Sequence, residues 1–123
     1  MQTSLNEAAK MLLAADDIHI LSHQYPDGDT LGSAGALCHA LKMLGKRAVI
    51  RCSDSIHPKY QFLFTGLEDE QFEPKFVVSV DIADTQLFGD GIASYIGKVD
   101  LCIDHHGSNA FYADHTYVDS TAA

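Results

Sequence analysis

A three-layer α/β fold built on a mainly parallel sheet is what this sequence predicts, and three observations predict it. Segments with helical apolar spacing alternate with short β-branched segments in the order αβαβαβαβ. One strand segment, Phe76 to Val80 (FVVSV), is almost continuously apolar, as a strand covered on both faces requires. No repeat, low-complexity tract or Ser/Pro-rich linker breaks the order, so the 123 residues read as a single domain spanning 1–123. Alternation of this kind implies parallel strands, right-handed crossovers and helices on both faces of the sheet.

Each element has its own signal. Ser4-Leu5-Asn6-Glu7 is a capping-box pattern, and Leu5, Ala8, Ala9, Leu12 and Leu13 share one face, so a helix is expected from Ser4 to Ala15. Ile18 to Ser22 (IHILS) follows as a strand. Past a loop with Pro26 and Gly28, apolar residues recur at helical spacing from Leu31 to Leu44, and Gly45 supplies a C-terminal stop. Ala48 to Cys52 is the second strand. Pro58 to Phe64 is expected to form a short helix with proline in its first turn. After the third strand, Gly91 to Ile96 is a weakly patterned helix, and Val99 to Ile103 (VDLCI) is the fourth strand.

Composition narrows the partners. Acidic residues outnumber basic ones 17 to 8, a formal charge of −9. Without a basic footprint there is no counterion release to drive binding, which argues against long duplex nucleic acid and against an anionic membrane. The apolar runs are far too short for a transmembrane helix. The opening stretch, MQTSLNEAAK, lacks the cationic and apolar blocks of a signal peptide, and a cytoplasmic location is the expectation. Cys38, Cys52 and Cys102 have no CxxC spacing and sit among apolar residues, so buried free thiols are expected. The unusual feature is the set of seven histidines among so many acids.

Those residues gather where the first, third and fourth expected strands end. The first runs into His23-Gln24-Tyr25-Pro26-Asp27-Gly28-Asp29, the third into Asp81 with Asp84 beyond, and the fourth into Asp104-His105-His106. In open parallel sheets ligands collect outside the carboxyl ends of strands. A lone aspartate there is more often a helix cap, but three such ends on one edge concentrate carboxylates that repel unless cations neutralise them. Divalent metal is the simplest resolution. Carboxylate and imidazole without thiolate suit Mn²⁺, then Mg²⁺, Fe²⁺ or Zn²⁺. Two-metal sites of this kind act on phosphorus centres through activated water, and no serine or cysteine nucleophile is placed to compete. His19, His39, His57 and His115 read as structural or solvated, and Phe62, Phe64 and Phe76 as core. Tyr25 is a weaker candidate for packing near a base.

The three clusters together resemble the motifs of the DHH phosphoesterase superfamily. HxxPDxDxxGS is matched from His23 to Ser33, the carboxylate-bearing strand end by Val80-Asp81-Ile82-Ala83-Asp84, and the naming motif by Asp104-His105-His106. The stretches ILSHQYPDGDTLGS, SVDIADTQLFGD and DLCIDHHGSNAFYADHTYVDSTAA are similar to those of bacterial bifunctional oligoribonuclease/pAp phosphatases. The resemblance implies a Rossmann-like domain and a metal-dependent phosphoesterase. Its substrates would be short oligoribonucleotides, 3′-phosphoadenosine 5′-phosphate, or both, hydrolysed by water activated on two metal ions, Mn²⁺ with Mg²⁺ as the alternative. It implies His23 and Asp27 as ligands of one ion, Asp29 and His105 as ligands of the other, and Asp81 as the bridge. His106 would face the substrate phosphate, and Asp104 would orient a ligand histidine. Asp84 is either a supporting residue or a helix cap. Gly32 and Ser33 would open the following helix, either approaching a phosphate or packing tightly on the sheet.

The superfamily also carries a further metal-binding aspartate several tens of residues beyond the DHH motif, and a C-terminal domain that grips substrate. The sequence ends at Ala123, before either, and neither Asp114 nor Asp119 has the context of that ligand. A partial catalytic domain, weak in metal binding and slow in turnover, is therefore expected. Cyclic dinucleotide hydrolysis and polyphosphate cleavage remain alternatives within the superfamily. An inactive metal-binding or interaction fragment, including one that forms a homodimer, is the alternative outside enzymes. Asp27-Gly28-Asp29-Thr30 also resembles the nucleophile loop of haloacid-dehalogenase-type phosphatases. There the threonine falls one position later, and no role exists for His23 or the DHH motif.

Overall fold

The structure is a computed structural model describing residues 2–22, 28–52 and 71–119, with residues 28–30 described by backbone alone. Helix α1 spans Leu5–Ala14, strand β1 Ile18–Leu21, helix α2 Gly28–Met43, and strand β2 Ala48–Arg51. Strand β3 spans Phe76–Val80, β4 Leu101–Asp104 and β5 His115–Val118. The five strands form one sheet in the order β2-β1-β3-β4-β5, and every pairing is parallel.

The local signals explain the elements. Ser4 accepts from the Glu7 N–H and the Glu7 carboxylate accepts from the Ser4 N–H, so the capping box closes in full at the start of α1. At the end of α2, Gly45 takes a φ of 80°, its N–H donates to the Lys42 carbonyl, and the Lys46 N–H donates to the Leu41 carbonyl. That pair of bonds is a Schellman stop, which needs a left-handed residue where glycine sits. Strand β1 is buried at all four positions, as a central parallel strand must be.

Alternation along the strands divides the core in two. Ile18, Ile20, Val78, Val80 and Leu101 join Ala8 of α1 and Ala34, Cys38 and Leu41 of α2 on one face. Leu21, Val77 and Cys102 point to the other, where Ile82, Phe88, Ile92, Val99 and Ala113 cover them. The elements on that second face include two 3-10 segments, Thr85–Leu87 and Asp90–Tyr95. Cys38 and Cys102 are buried free thiols, each donating weakly to a carbonyl, and burial raises the pKa of both; Cys52 is half-buried.

Several expectations need correction. The segment at His115, for which the sequence offers no strand signal, is the edge strand β5, whose partner residues run from Leu101↔His115 to Asp104↔Val118. Its four residues bury only Thr116, so apolar periodicity could not reveal it. The strand expected from Val99 begins at Leu101 and takes in Asp104, while the helix expected from Leu31 begins at Gly28. The helix expected at 91–96 is a 3-10 segment interrupted at Ile92. Asp84 proves to be a cap, its side chain accepting from the Gln86 N–H at 3.0 Å. Gly32 and Ser33 do not open α2 but lie in its second turn, where their N–H groups belong to the helix ladder. A Cβ on Gly32 would meet nothing within 4 Å among the described residues. The helix expected at 58–64, with His57, Phe62 and Phe64, lies outside the described residues.

Candidate metal centre

Strand order reverses between β1 and β3, because the chain leaves β1 for β2 on one side and returns to β3 on the other. In a doubly wound sheet the crevice outside the carboxyl ends opens at that reversal. Asp81 follows β3 directly at this edge, and Asp104 is the last residue of the neighbouring β4, with His105 and His106 just beyond it. Asp81 has a φ of 63°, a left-handed conformation that aspartate tolerates better than most residues. That turn takes the chain off the strand at the point where the carboxylate is presented. The Asp81 N–H still bonds the Ile103 carbonyl at 2.9 Å, tying the turn to β4.

These side chains converge. His105 Nε2 lies 2.6 Å from Asp81 Oδ1, and His106 Nδ1 lies 3.7 Å from the same oxygen. One donor atom from each of Asp81, Asp104, His105 and His106 falls within 4.8 Å of the others. Nitrogen and oxygen ligands of a divalent ion stand about 2.0–2.2 Å from it, so atoms on opposite sides are separated by roughly 4 Å. Asp81 and His105 offer an oxygen and a nitrogen of the chemistry such a cation takes, within that span.

Asp104 differs from the rest. Its side chain is 0% exposed. Oδ1 accepts from the His105 N–H at 2.8 Å and sits 2.6 Å from His106 Nδ1, while Oδ2 accepts from Asn109 Nδ2 at 2.8 Å. A carboxylate can only accept here, so His106 carries its proton on Nδ1 and turns Nε2 away from Asp104. Asp104 thereby orients His106, whereas His105, the histidine expected as a ligand, meets Asp104 through its backbone N–H. His105 and His106 are each about two-fifths exposed, and Asp81 is 16% exposed.

A family model described as the DHH family, N-terminal domain, matches residues 17–123. The chain belongs to the DHH family. A bifunctional oligoribonuclease and PAP phosphatase of Thermus thermophilus is 31% identical over 124 residues, covering 94% of this chain and 36% of that relative. A protein of the same description from Mycoplasma genitalium is 29% identical and covers 84% of this chain and 34% of the relative. This DHH chain thus spans little more than a third of the length of these relatives. Among solved structures, an exopolyphosphatase-related protein from Bacteroides fragilis superposes with a TM-score of 0.78 at 20% identity. The match takes in 94% of this chain and 38% of that one, and it establishes the shared fold.

Of the residues singled out in the sequence, the structure brings together Asp81, Asp104, His105 and His106. Asp29 lies in the first turn of α2, and its side chain is not described. His23, Tyr25 and Asp27 lie outside the described residues. The histidines set aside have other occupations where they are described. His19 is buried, its Nδ1 2.6 Å from the Tyr95 hydroxyl and its Nε2 3.0 Å from the Phe72 carbonyl. The carbonyl must accept, which places a proton on Nε2. His115 contacts Thr3 Oγ1 at 3.4 Å.

Sequence reasoning missed Asn109 and Tyr112. Asn109 is buried, donates to Asp104 and, through Oδ1, accepts from the Phe111 N–H at 2.7 Å. The Tyr112 hydroxyl donates to the Ile82 carbonyl at 2.8 Å and lies 2.6 Å from Ser79 Oγ. Burial pushes its phenol well above the ordinary tyrosine value, so the hydroxyl keeps its proton. Neither has a spacing that announces it, since asparagine and tyrosine in a loop ordinarily read as turn residue and surface aromatic.

Proposed function

We propose that this chain is the metal-binding catalytic portion of a phosphoesterase that hydrolyses short oligoribonucleotides, 3′-phosphoadenosine 5′-phosphate, or both. The observation that carries the reading is the convergence of Asp81, Asp104, His105 and His106 at the carboxyl edge of the sheet in a DHH-family chain. The names of its relatives supply the substrate class. Mn²⁺ is the proposed ion, with Mg²⁺ as the alternative. His23 and Asp27 are proposed for one site, Asp29 and His105 for a second, and Asp81 for the bridge between them.

Bound ions would supply Lewis-acid stabilisation of the phosphoryl oxygens and an activated water as nucleophile. The chain's own residues supply the rest. The Asp81 carboxylate and His105 Nε2 provide donor atoms from two adjacent strands, held in fixed relation by the Asp81–Ile103 backbone bond. His106, oriented by Asp104, directs Nε2 away from the buried carboxylate, where a proton on that nitrogen would let it donate to a phosphoryl oxygen as charge develops. The acidic surface is no obstacle to a short substrate held through cations, whereas duplex DNA or RNA would need a basic surface that this composition lacks.

The test pairs calorimetric Mn²⁺ titration with phosphate release from 3′-phosphoadenosine 5′-phosphate and from a short oligoribonucleotide. Saturable Mn²⁺ binding and slow, metal-dependent hydrolysis are expected, and both should be lost in Asp81→Asn. Equal binding and equal rates in wild type and D81N would overturn the proposal.

A further inference from the structure

Besides a weak donation from the Cys102 thiol to the Ile82 carbonyl, three ties among the described residues hold the turn that carries Asp81, and two of them come from the segment after the DHH motif. The Ala110 N–H donates to the Ala83 carbonyl at 2.8 Å, and the Asp81 N–H donates to the Ile103 carbonyl at 2.9 Å. The third tie is Tyr112. Its single hydroxyl proton goes to the Ile82 carbonyl at 2.8 Å, so at 2.6 Å the Ser79 hydroxyl is the donor and the tyrosine oxygen the acceptor. Ser79 lies two residues before Asp81 and Ile82 one residue after it, and both are fully buried. One oxygen thus joins the two sides of the turn. The ring is fixed edge-on against the buried Phe88, with centroids 5.4 Å apart at 85°. A non-glycine residue with φ of 63° persists where its surroundings over-determine it, and this hydroxyl is among those surroundings.

We propose that Tyr112 is a positioning residue of the metal site, its hydroxyl clamping the left-handed turn that aims the Asp81 carboxylate. The inference rests on the proposed function only in taking Asp81 as a ligand. Tyr112 acts through the turn, its hydroxyl taken up by Ser79 and the Ile82 carbonyl.

Tyr112→Phe keeps the ring and removes the clamp. Two measurements follow on the purified protein. Amide exchange by NMR without metal should show the Asp81 N–H exchanging at least tenfold faster in Y112F, with the α1 amides unchanged. Calorimetric titration with Mn²⁺ should show affinity falling about tenfold, the lower end of the range typical when residues behind metal ligands are removed. Ser79→Ala, which leaves the tyrosine its donation to Ile82, should lose less on both counts, and carries the same two readouts should Y112F fail to fold. Unchanged Asp81 exchange would overturn the proposal. So would faster exchange across the whole sheet with Mn²⁺ affinity intact, because that is the signature of a merely structural tyrosine. A wild type that binds no Mn²⁺ sinks the proposed function, while the exchange measurement still decides the clamp.

Discussion

Asp104 is a carboxylate enclosed by protein, and such a group is tolerable only when its oxygens are occupied. Here the His105 N–H, the His106 ring and the Asn109 amide occupy them. Asn109 is the member whose loss the molecule feels as stability, since it also receives the Phe111 N–H and closes the turn after the motif. Asn109→Ala leaves one Asp104 oxygen and one backbone donor without their partner. The expected cost is about 1–3 kcal/mol in urea unfolding, the range for a buried polar group stranded by deletion of its partner. A variant within a few tenths of wild type would show that water replaces the amide. Asp81, Asp104, His105 and His106 were all legible as residues, because acids and imidazoles at strand ends are conspicuous by chemistry. Asn109 and Tyr112 were not, because their roles reside in what they touch.

At the scale of elements, the amino ends of three strands meet at the turn before β1. The Asp17 carbonyl accepts from Lys75 and Phe76 at the start of β3, and the Asp16 carboxylate accepts from the Arg47 N–H just before β2. The Asp17 side chain accepts from Arg47 Nε at 2.8 Å, and this bond holds its carboxyl below the usual aspartate range. A carboxylate depressed in the folded state stabilises above the unfolded value of about 3.9 and loses that contribution as pH falls through its folded value. Asp17→Asn removes the charge yet suits the backbone, whose φ is 49°. Wild type should therefore be more stable than D17N at neutral pH, with the gap closing below about pH 4. A gap that stays constant down to pH 2 would contradict this assignment. Elements with complete local signals, such as the capped α1 and the glycine-stopped α2, were readable in advance. β5 was not, because a four-residue edge strand with one buried position owes its existence to the ladder offered by β4.

For the whole molecule, the charge of −9 and the cluster at one sheet edge belong to the same account. A cation binding the folded site and not the unfolded chain stabilises by mass action, about 2.7 kcal/mol at a hundredfold excess over its dissociation constant. Mn²⁺ should raise the thermal midpoint of wild type, chelation should return it, and D81N should show no rise. An equal rise in D81N would place the stabilising ion elsewhere on the acidic surface. No helix among the described residues is long and apolar enough to cross a membrane.

The sequence by itself determined the layered parallel fold and the residue types of the site, because apolar periodicity and side-chain chemistry are properties of short stretches of chain. Only the tertiary structure decided which of those residues meet. The strand order β2-β1-β3-β4-β5 puts the ends of β3 and β4 side by side, and the buried contacts of Asp104 and Tyr112 then set how the histidines and Asp81 are aimed. Such contacts join positions up to 33 residues apart, as from Ser79 to Tyr112, and no local pattern encodes a distance across the fold.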